Sequence, residues 1–452
     1  MISYKSNGFH DSEYTIKPFF AFVEGEHGII LNQNNGTTLC TDIDTIKSIE
    51  NGTLSDHMRY RLVSLGFAEV AGSPMPVDHR IIISPHFFLI DMTNKCNLQC
   101  AYCLRVPENK KRQISYSKLL EICEYILVTC KQNHYKNITI QPWGGEPLLC
   151  IDEIVKIREF FQSYPEIHTH ISIQTNGTLL TDENLQKMKD AQIDFGVSVD
   201  GPPIVHDMQR LTVNGEKTAQ KVHAGLVRAH DMGFDNVGGI CVVTNKSLGH
   251  IREIITYAAD ELRLGAIKLN LMHQPDHACA DIRVLTESEI TEVCKEMLDS
   301  WIDISKRFPE FHELNIKDRL NNILYRTDAH ICHACGCCGG RQMVSFDMDG
   351  DIYPCELTDW PDEKMGNIKD GIPLREIIES SLSKPYFHKK ENAECTDCPW
   401  QYYCRGGCSA AIKYTGHKTT IDTLECTFNK NLYPLLIEAL LQERIPEIQG
   451  WR

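Results

Sequence analysis

The stretch Cys96-Asn97-Leu98-Gln99-Cys100-Ala101-Tyr102-Cys103 decides how this chain is read. Its three thiols sit at spacing C-x3-C-x2-C, shortly after an apolar run, Phe87-Phe88-Leu89-Ile90. Three thiolates on a tight loop can hold three corners of a cubane iron–sulfur cluster. No fourth cysteine is near, since the next, Cys123, falls within a predicted helix. One iron would then lack a protein ligand, and a metal with an open position binds a substrate or cosubstrate directly. The alternative is a zinc knuckle. Zinc takes four Cys or His ligands, and none stands at a suitable offset here.

With Tyr102 directly before the third cysteine, this stretch resembles the signature of the radical S-adenosylmethionine (SAM) superfamily. The resemblance implies a 4Fe–4S cluster on Cys96, Cys100 and Cys103 whose open iron chelates SAM. It implies reductive cleavage of SAM to a 5′-deoxyadenosyl radical that takes hydrogen from an unactivated carbon. Tyr102 joins the cofactor-binding set on the same ground.

Composition narrows the rest. The 452 residues suggest two or three domains, and a hydrophobic fraction of 42% supplies full cores. A net charge of -15 disfavours a nucleic-acid partner, because a phosphate backbone wants a basic face. No apolar run reaches the ~18 residues of a membrane span. The start, Met1-Ile-Ser-Tyr-Lys-Ser-Asn-Gly, has no signal core, so a cytoplasmic protein without membrane attachment is expected. In a reducing compartment 20 cysteines point to metal or cluster ligation rather than disulfides.

Residues 1–80 read as a separate unit. Short strands are expected at Ala21-Phe22-Val23 and Gly28–Asn32, around turns at Gly25 and Asn34-Asn35-Gly36. Helices are expected near Asp42–Glu50, with Asp42 as N-cap, and near Ser55–Leu65, capped by Ser55 and ended by Gly66. The unit resembles the winged-helix element that binds leader peptides in peptide-maturing enzymes; a plain accessory domain is the alternative.

Residues 81–310 alternate strand and helix. Strands are predicted at Phe87–Met92, Asn137–Gln141, Ile171–Thr175, Phe195–Val199, Val237–Val243 and Ile267–Leu271. Between them lie amphipathic helices at Tyr116–Thr129, Asp152–Phe161, Asp182–Asp190, Ala219–Met232 and His250–Leu262. Such a repeat implies an α/β fold with a parallel sheet and right-handed crossovers, here an incomplete (β/α)6 TIM-type barrel. Sites in such barrels lie at the C-terminal ends of the strands, where the cysteine loop falls. Helices near Glu287–Lys306 and Ile316–Tyr325 precede a cysteine-rich region at 332–426, in a domain taken as 311–430, and a last helix is expected at Asn431–Gln442, in a C-terminal segment 431–452.

After the second strand comes Trp143-Gly144-Gly145-Glu146-Pro147, where paired glycines let backbone approach a ligand closely. It resembles the GGE motif of the radical SAM family, whose loop receives the SAM amino group, so Gly144, Gly145 and Glu146 join the cofactor-binding set. The fourth strand ends in Ser198-Val199-Asp200-Gly201, followed by Arg210. The family resemblance assigns Ser198 and Arg210 to the SAM carboxylate, and Arg offers a planar fork suited to one. Asp200-Gly201 reads as a turn shaped by Asp200. Gln174-Thr175-Asn176-Gly177 faces the same site.

Further on, Gly350-x4-Cys355 leads to Cys395-x2-Cys398-x5-Cys404-x3-Cys408 and then Cys426, with Cys337 upstream of Gly350. This resembles the seven-cysteine SPASM domain, which carries two auxiliary 4Fe–4S clusters; two zinc ribbons are the alternative. The resemblance implies an outer cluster on Cys395, Cys398, Cys404 and Cys426. It implies an inner one on Cys355 and Cys408 with upstream cysteines. Of Cys332, Cys335, Cys337 and Cys338, Cys337 fits the family spacing and Cys332 is the further candidate; Cys338 could replace Cys337. If only three ligands bind, the inner cluster keeps an open iron that could take a substrate thiolate. Glu356 matches an acidic catalytic base of some sulfatase-maturing relatives and is the candidate proton acceptor; an ordinary surface glutamate is the alternative. Cys123 and Cys130 share a helix face and read as core, while Cys40, Cys150, Cys241, Cys279 and Cys294 have no partner spacing. His206 and His273 read as ordinary polar residues.

The expectation is a radical SAM oxidoreductase that modifies a precursor peptide bearing a leader segment, reduced by a flavodoxin or ferredoxin. A thioether between a cysteine sulfur and another residue's carbon is the first choice of product; carbon–carbon or carbon–oxygen crosslinks, formylglycine formation in a sulfatase and small-molecule dehydrogenation are alternatives. A non-catalytic cluster protein that shuttles electrons is the reading from a different class.

Overall fold

The computed structural model describes residues 1–71, 83–105, 111–273, 281–326, 337–358, 360–384, 393–414 and 420–445. Cys279, Cys332 and Cys335 therefore lie outside the described residues.

The N-terminal unit contains β1 (Ile2–Ser6), β2 (Phe9–His10), β3 (Tyr14–Ile16), β4 (Phe19–Glu24), β5 (His27–Leu31), β6 (Thr38–Asp42), α1 (Ile43–Asn51), α2 (Asp56–Ser64) and β7 (Ala68–Val70). One antiparallel sheet has the order β1-β4-β5-β6 and a second the order β2-β3-β7. Asp42 caps α1 by accepting from the Thr45 N–H, and Ser55 caps α2 through Met58 N–H. Side chains alternate across a strand, and both faces of the larger sheet are used. Phe19, Ala21 and Ile30 pack with Ile46, Ile49 and Leu62 in a local core. Phe22, Ile29 and Leu31 point the other way, into the main core of the molecule.

The central strands are β8 (Phe87–Thr93), β10 (Asn137–Gly144), β11 (His168–Thr175), β12 (Ile193–Ser198), β14 (Gly238–Val243) and β15 (Ala266–Leu271), with β9 (Leu98–Cys100) and β13 (Arg210–Thr212) forming a separate ribbon. The six central strands are parallel and adjacent in chain order, as expected for βα units. Their crossovers carry α3 (Tyr116–Asn133), α4 (Ile151–Gln162), α5 (Asp182–Asp190), α6 (Pro203–Gln209), α7 (Ala219–Asp231) and α8 (Ile251–Thr256). The helix predicted over His250–Leu262 widens to a π-turn at Tyr257–Glu261. Then follow α9 (Glu287–Ser305), β16 (His312–Glu313) and α10 (Leu314–Tyr325), with β16 extending the sheet beside β15.

The cysteine-rich region does not stand apart. It contains β17 (Met343–Phe346), β18 (Asp351–Tyr353), β19 (Gly366–Asn367), α11 (Leu374–Ser381), α12 (Ala393–Thr396), α13 (Gln401–Cys404), α14 (Ser409–Tyr414) and α15 (Thr423–Leu441). β17 pairs in parallel with β8, Met343 opposite Phe87 and Phe346 opposite Ile90, so the region continues the barrel sheet. The ten strands stay open, with β16 at one edge and β19 at the other. The last helix begins at Thr423, capped by Asp422, rather than at Asn431. Pro434 explains the difference: proline favours a helix's first turn, yet here it lies inside a longer helix whose Phe428, Leu432 and Leu436 are buried. Cys426 thereby sits in the first turn of α15.

Candidate active site

The cysteine loop leaves the end of β8 and is held from three sides. Its own strand, β9, pairs with β13 so that Cys100 lies opposite Arg210. Asn97 bonds to Asn176 and Thr178 of the loop after β11, at 2.8 Å each. The third contact is the glycine pair. Gly145 N–H donates to the Thr93 carbonyl at 2.7 Å and Glu146 N–H to that of Lys95 at 2.9 Å. A Cβ on Gly144 would stand 2.3 Å from Thr93 O, and one on Gly145 2.2 Å from Lys95 O. Gly144 also has φ +139°, a conformation that favours glycine. The loop's N–H groups are thus spent on the protein, and a ligand amino group needs acceptors, not donors.

Cys96 and Cys100 are half-buried and Cys103 is exposed. Burial pushes the Cys100 thiol up to about 12 and raises Cys96 as well; bound iron would displace those protons outright. Cys96 Sγ accepts from Leu98 N–H at 3.4 Å. Three thiols on one side of an open cavity, and soft sulfur donors alone, suit an iron–sulfur cluster with a vacant corner.

Asp200 does not merely shape a turn. It is fully buried, accepting from Tyr102 Oη at 2.6 Å and from Val242 N–H at 3.0 Å. Arg210 Nη1 donates to the same Tyr102 oxygen at 2.5 Å, and its Nη1 lies 4.0 Å from Asp200 Oδ1. Arg210 Nε is buried with no hydrogen-bond partner among the described residues, a donor available to a carboxylate. Ser198 Oγ accepts from Gln174 Nε2 at 3.3 Å. Glu146 lines the cavity, but its carboxylate takes Thr175 Oγ1, Asn176 N–H and Leu148 N–H, so it ties the β10 and β11 loops together.

His206 is no ordinary polar residue either. It is fully buried, and burial followed by the Arg210 charge lowers it to about 3. Its Nδ1 accepts from Asp200 N–H at 3.3 Å, so the ring proton sits on Nε2, 3.1 Å from Thr218 Oγ1. Thr218 in turn donates to the Arg210 carbonyl at 2.6 Å. This chain fixes the backbone from which the guanidinium projects.

One cavity of about 840 Å³ joins Cys96, Cys100 and Cys103 to Cys337, Cys355 and Cys408. Cys355 follows β18, on the side where β8 begins, because β17 starts opposite Phe87. The cysteine loop follows the other end of β8. The two groups therefore sit at opposite ends of β8. The Cys355 thiol is raised by burial and then by Glu356, Cys337 and Cys408, which places these groups side by side. Cys338 is buried and does not line the cavity. Glu356 does line it; its Oε2 is buried without a hydrogen-bond partner among the described residues, and burial raises the carboxyl. Cys395, Cys398, Cys404 and Cys426 surround a second void with Trp400, a donor set that fits a four-thiolate cluster.

The cavity's far wall was not read from sequence as functional. Lys268 is buried on β15 and lies 3.9 Å from Asp318 Oδ2. Arg319 of α10, also on this wall, bonds Asn429 Oδ1 and Glu425 Oε1 of α15 at 2.7 Å each. A lysine inside the apolar run Ile267-Lys268-Leu269 was the available signal, since a central parallel strand is normally apolar throughout. His273 lines the cavity too. Cys123, Cys130, Cys150, Cys241 and Cys294 are buried in the core.

Comparison with known proteins follows the same division. Residues 90–258 match the radical SAM superfamily, and residues 337–399 match SPASM, an iron–sulfur cluster-binding domain. The cysteine-type anaerobic sulfatase-maturating enzyme of Clostridium perfringens is 24% identical over 325 residues, 69% of this chain and 85% of that protein. The serine-type enzyme of Bacteroides thetaiotaomicron is 27% identical over 346 residues, 69% of this chain and 80% of its own. Among solved structures, anSMEcpe with bound AdoMet and a peptide has TM-score 0.65 at 20% identity, covering 79% of this chain and 99% of that one. Streptococcus suis SuiB bound to its precursor peptide SuiA has TM-score 0.54 at 16% identity, covering 88% of this chain and 98% of that one.

Proposed function

The chain is a radical SAM enzyme with a C-terminal SPASM domain, and from that premise we propose that it is a peptide maturase installing a thioether crosslink in a ribosomally made precursor. The observation that carries this reading is the single cavity reaching from the SAM-site loop to Cys355 and Glu356 at the other end of β8. When bound, SAM and its cluster supply the 5′-deoxyadenosyl radical, and the auxiliary clusters accept the electron left when the new bond forms. Cys96, Cys100 and Cys103 would hold the first cluster. Arg210 and Ser198 would hold the SAM carboxylate, with Tyr102 beside them and the Gly144-Gly145 loop at the amino group. Cys337, Cys355 and Cys408, with Cys332 as the further candidate, would hold the inner cluster. Cys395, Cys398, Cys404 and Cys426 would hold the outer one. Thioether formation breaks a C–H and an S–H bond and makes a C–S bond. The hydrogen atom would leave in 5′-deoxyadenosine and the electron would be taken up by auxiliary clusters held on the SPASM cysteines, while Glu356 would accept the thiol proton. A flavodoxin or ferredoxin would serve as reductant.

The N-terminal unit is proposed to hold the leader. In support, anSMEcpe is covered almost completely yet leaves about a fifth of this chain unmatched, whereas the SuiB structure bound to a precursor peptide spans 88% of it. A second reading, oxidation of a protein Cys or Ser to formylglycine, is favoured by the sulfatase-maturating relatives.

Mass spectrometry of a Cys-bearing precursor, encoded near this gene and incubated anaerobically with the reconstituted enzyme, SAM and reductant, separates these. A thioether gives a loss of two hydrogens per link and one alkylatable thiol fewer. A carbon–carbon or carbon–oxygen link loses two hydrogens with every thiol still alkylatable. Sulfur lost and an aldehyde gained supports the formylglycine reading. SAM cleavage with no change in any peptide would sink all three.

A further inference from the structure

The loop bearing Cys395, Cys398 and Cys404 is walled by residues from the opposite end of the chain. Gln33 Nε2 donates to the carbonyl of Thr396, next to Cys395, at 2.8 Å. Gly36 is clasped by two tyrosines: its carbonyl accepts from Tyr403 Oη, and a Cβ there would meet the Tyr402 ring at 2.3 Å. Phe22 stacks on Trp400 with centroids 5.4 Å apart and planes 22° from parallel. Trp400 lines the same void as the four cysteines and also stacks on Tyr433, with centroids 4.5 Å apart. Lys5 reaches Asp397 at 2.7 Å, but that pair is exposed and contributes little.

We infer that the N-terminal unit is part of the housing of the outer auxiliary cluster, with Phe22 and Gln33 acting as positioning residues that fix its loop and its potential. The reasoning is electrostatic. A cubane on four thiolates is already anionic, and reduction adds another negative charge. Water stabilises the more highly charged form, so solvent exposure is one of the factors that set the potential. Phe22, packed flat on Trp400, keeps water from that side and holds the potential low. Gln33 ties the backbone between Cys395 and Cys398 in one geometry. The inference rests on the iron–sulfur assignment and is independent of which bond the enzyme makes.

The test uses the full-length, anaerobically reconstituted protein in an EPR-monitored redox titration. The outer-cluster signal is identified by its loss in a Cys395→Ala, Cys398→Ala double variant. Phe22→Ala is expected to move that cluster's potential upward by about a tenfold change in the reduction equilibrium, 59 mV for one electron. Phe22→Tyr should restore the wild-type value, and Gln33→Ala should speed iron loss from the outer cluster in air. The SAM cluster, with its SAM-induced signal, should stay unchanged in every variant. Phe22→Leu carries the same test if Phe22→Ala does not fold. Unchanged outer-cluster potential and iron retention across the folded variants would overturn the inference. So would equal shifts at the SAM cluster, which would mean general loosening.

Discussion

Glu356 and His206 show how burial gives two residues their chemistry. Glu356 has a buried oxygen with no hydrogen-bond partner among the described residues, beside Cys355 in the cavity. Glu356→Gln keeps the shape and removes the proposed proton acceptor. Crosslinked peptide should fall by about 10²- to 10⁴-fold, the usual worth of a general base, while 5′-deoxyadenosine still accumulates; chromatography of both products checks this. Equal loss of both would place Glu356 outside the proton transfer. His206 gives a pH signature. Its folded value, about 3, lies below the ordinary value of about 6.5. Below pH 6.5 the unfolded chain binds a proton that the native protein refuses, so native stability declines as pH falls toward 3. That contribution is on the order of 5 kcal/mol across the window. Denaturant midpoints measured from pH 7 to pH 4 should fall less steeply for His206→Gln than for the wild type.

Among the elements, the glycine pair is the most exacting join. Gly145→Ala would drive a Cβ into the Lys95 carbonyl and push the SAM-site loop off the cysteine loop. It should lose the SAM-induced change in the first cluster's EPR signal while auxiliary iron is retained. Gly238→Ala, where a Cβ meets nothing within 4 Å, serves as the control. The elements that sequence made legible were those with a strong period: the six central strands and the helices between them other than the short α6, and the Asp42 and Ser55 caps, all local signals. Hidden elements were short or depended on distant partners. β17 and β18 span four and three residues, and only their pairing beside β8 makes them strands. Asp200 and His206 looked ordinary because nothing in Asp-Gly or a lone His announces burial; the β9–β13 ribbon and Val242 create it. The cysteine groupings came from the resemblance to the SPASM motif; the structure lines one void with Cys395, Cys398, Cys404 and Cys426 and the main cavity with Cys337, Cys355 and Cys408, while Cys332 lies outside the described residues.

For the whole molecule, the packing of the N-terminal sheet on both faces matters most. Removing residues 1–71 would take Phe22 away and uncover its partners, Trp400 among them, and α15 would lose its contacts with β4 and β5. The truncated chain is expected to aggregate, which size-exclusion chromatography would show, so point variants are the better probe of leader binding. The intact chain should melt in a single transition by calorimetry; a separate early transition for the N-terminal unit would contradict its shared core.

Strand β8 has its start beside Cys355 and its end leading into Cys96. Its seven residues, at about 3.3 Å each, make it a ruler roughly 20 Å long between the two redox stations. A ruler of pleated chain is graduated in pairs: one added residue would turn every inward side chain outward, whereas two would keep the facing and lengthen the gap by ~7 Å. The separation of the two cysteine groups is thus written into the length of one strand.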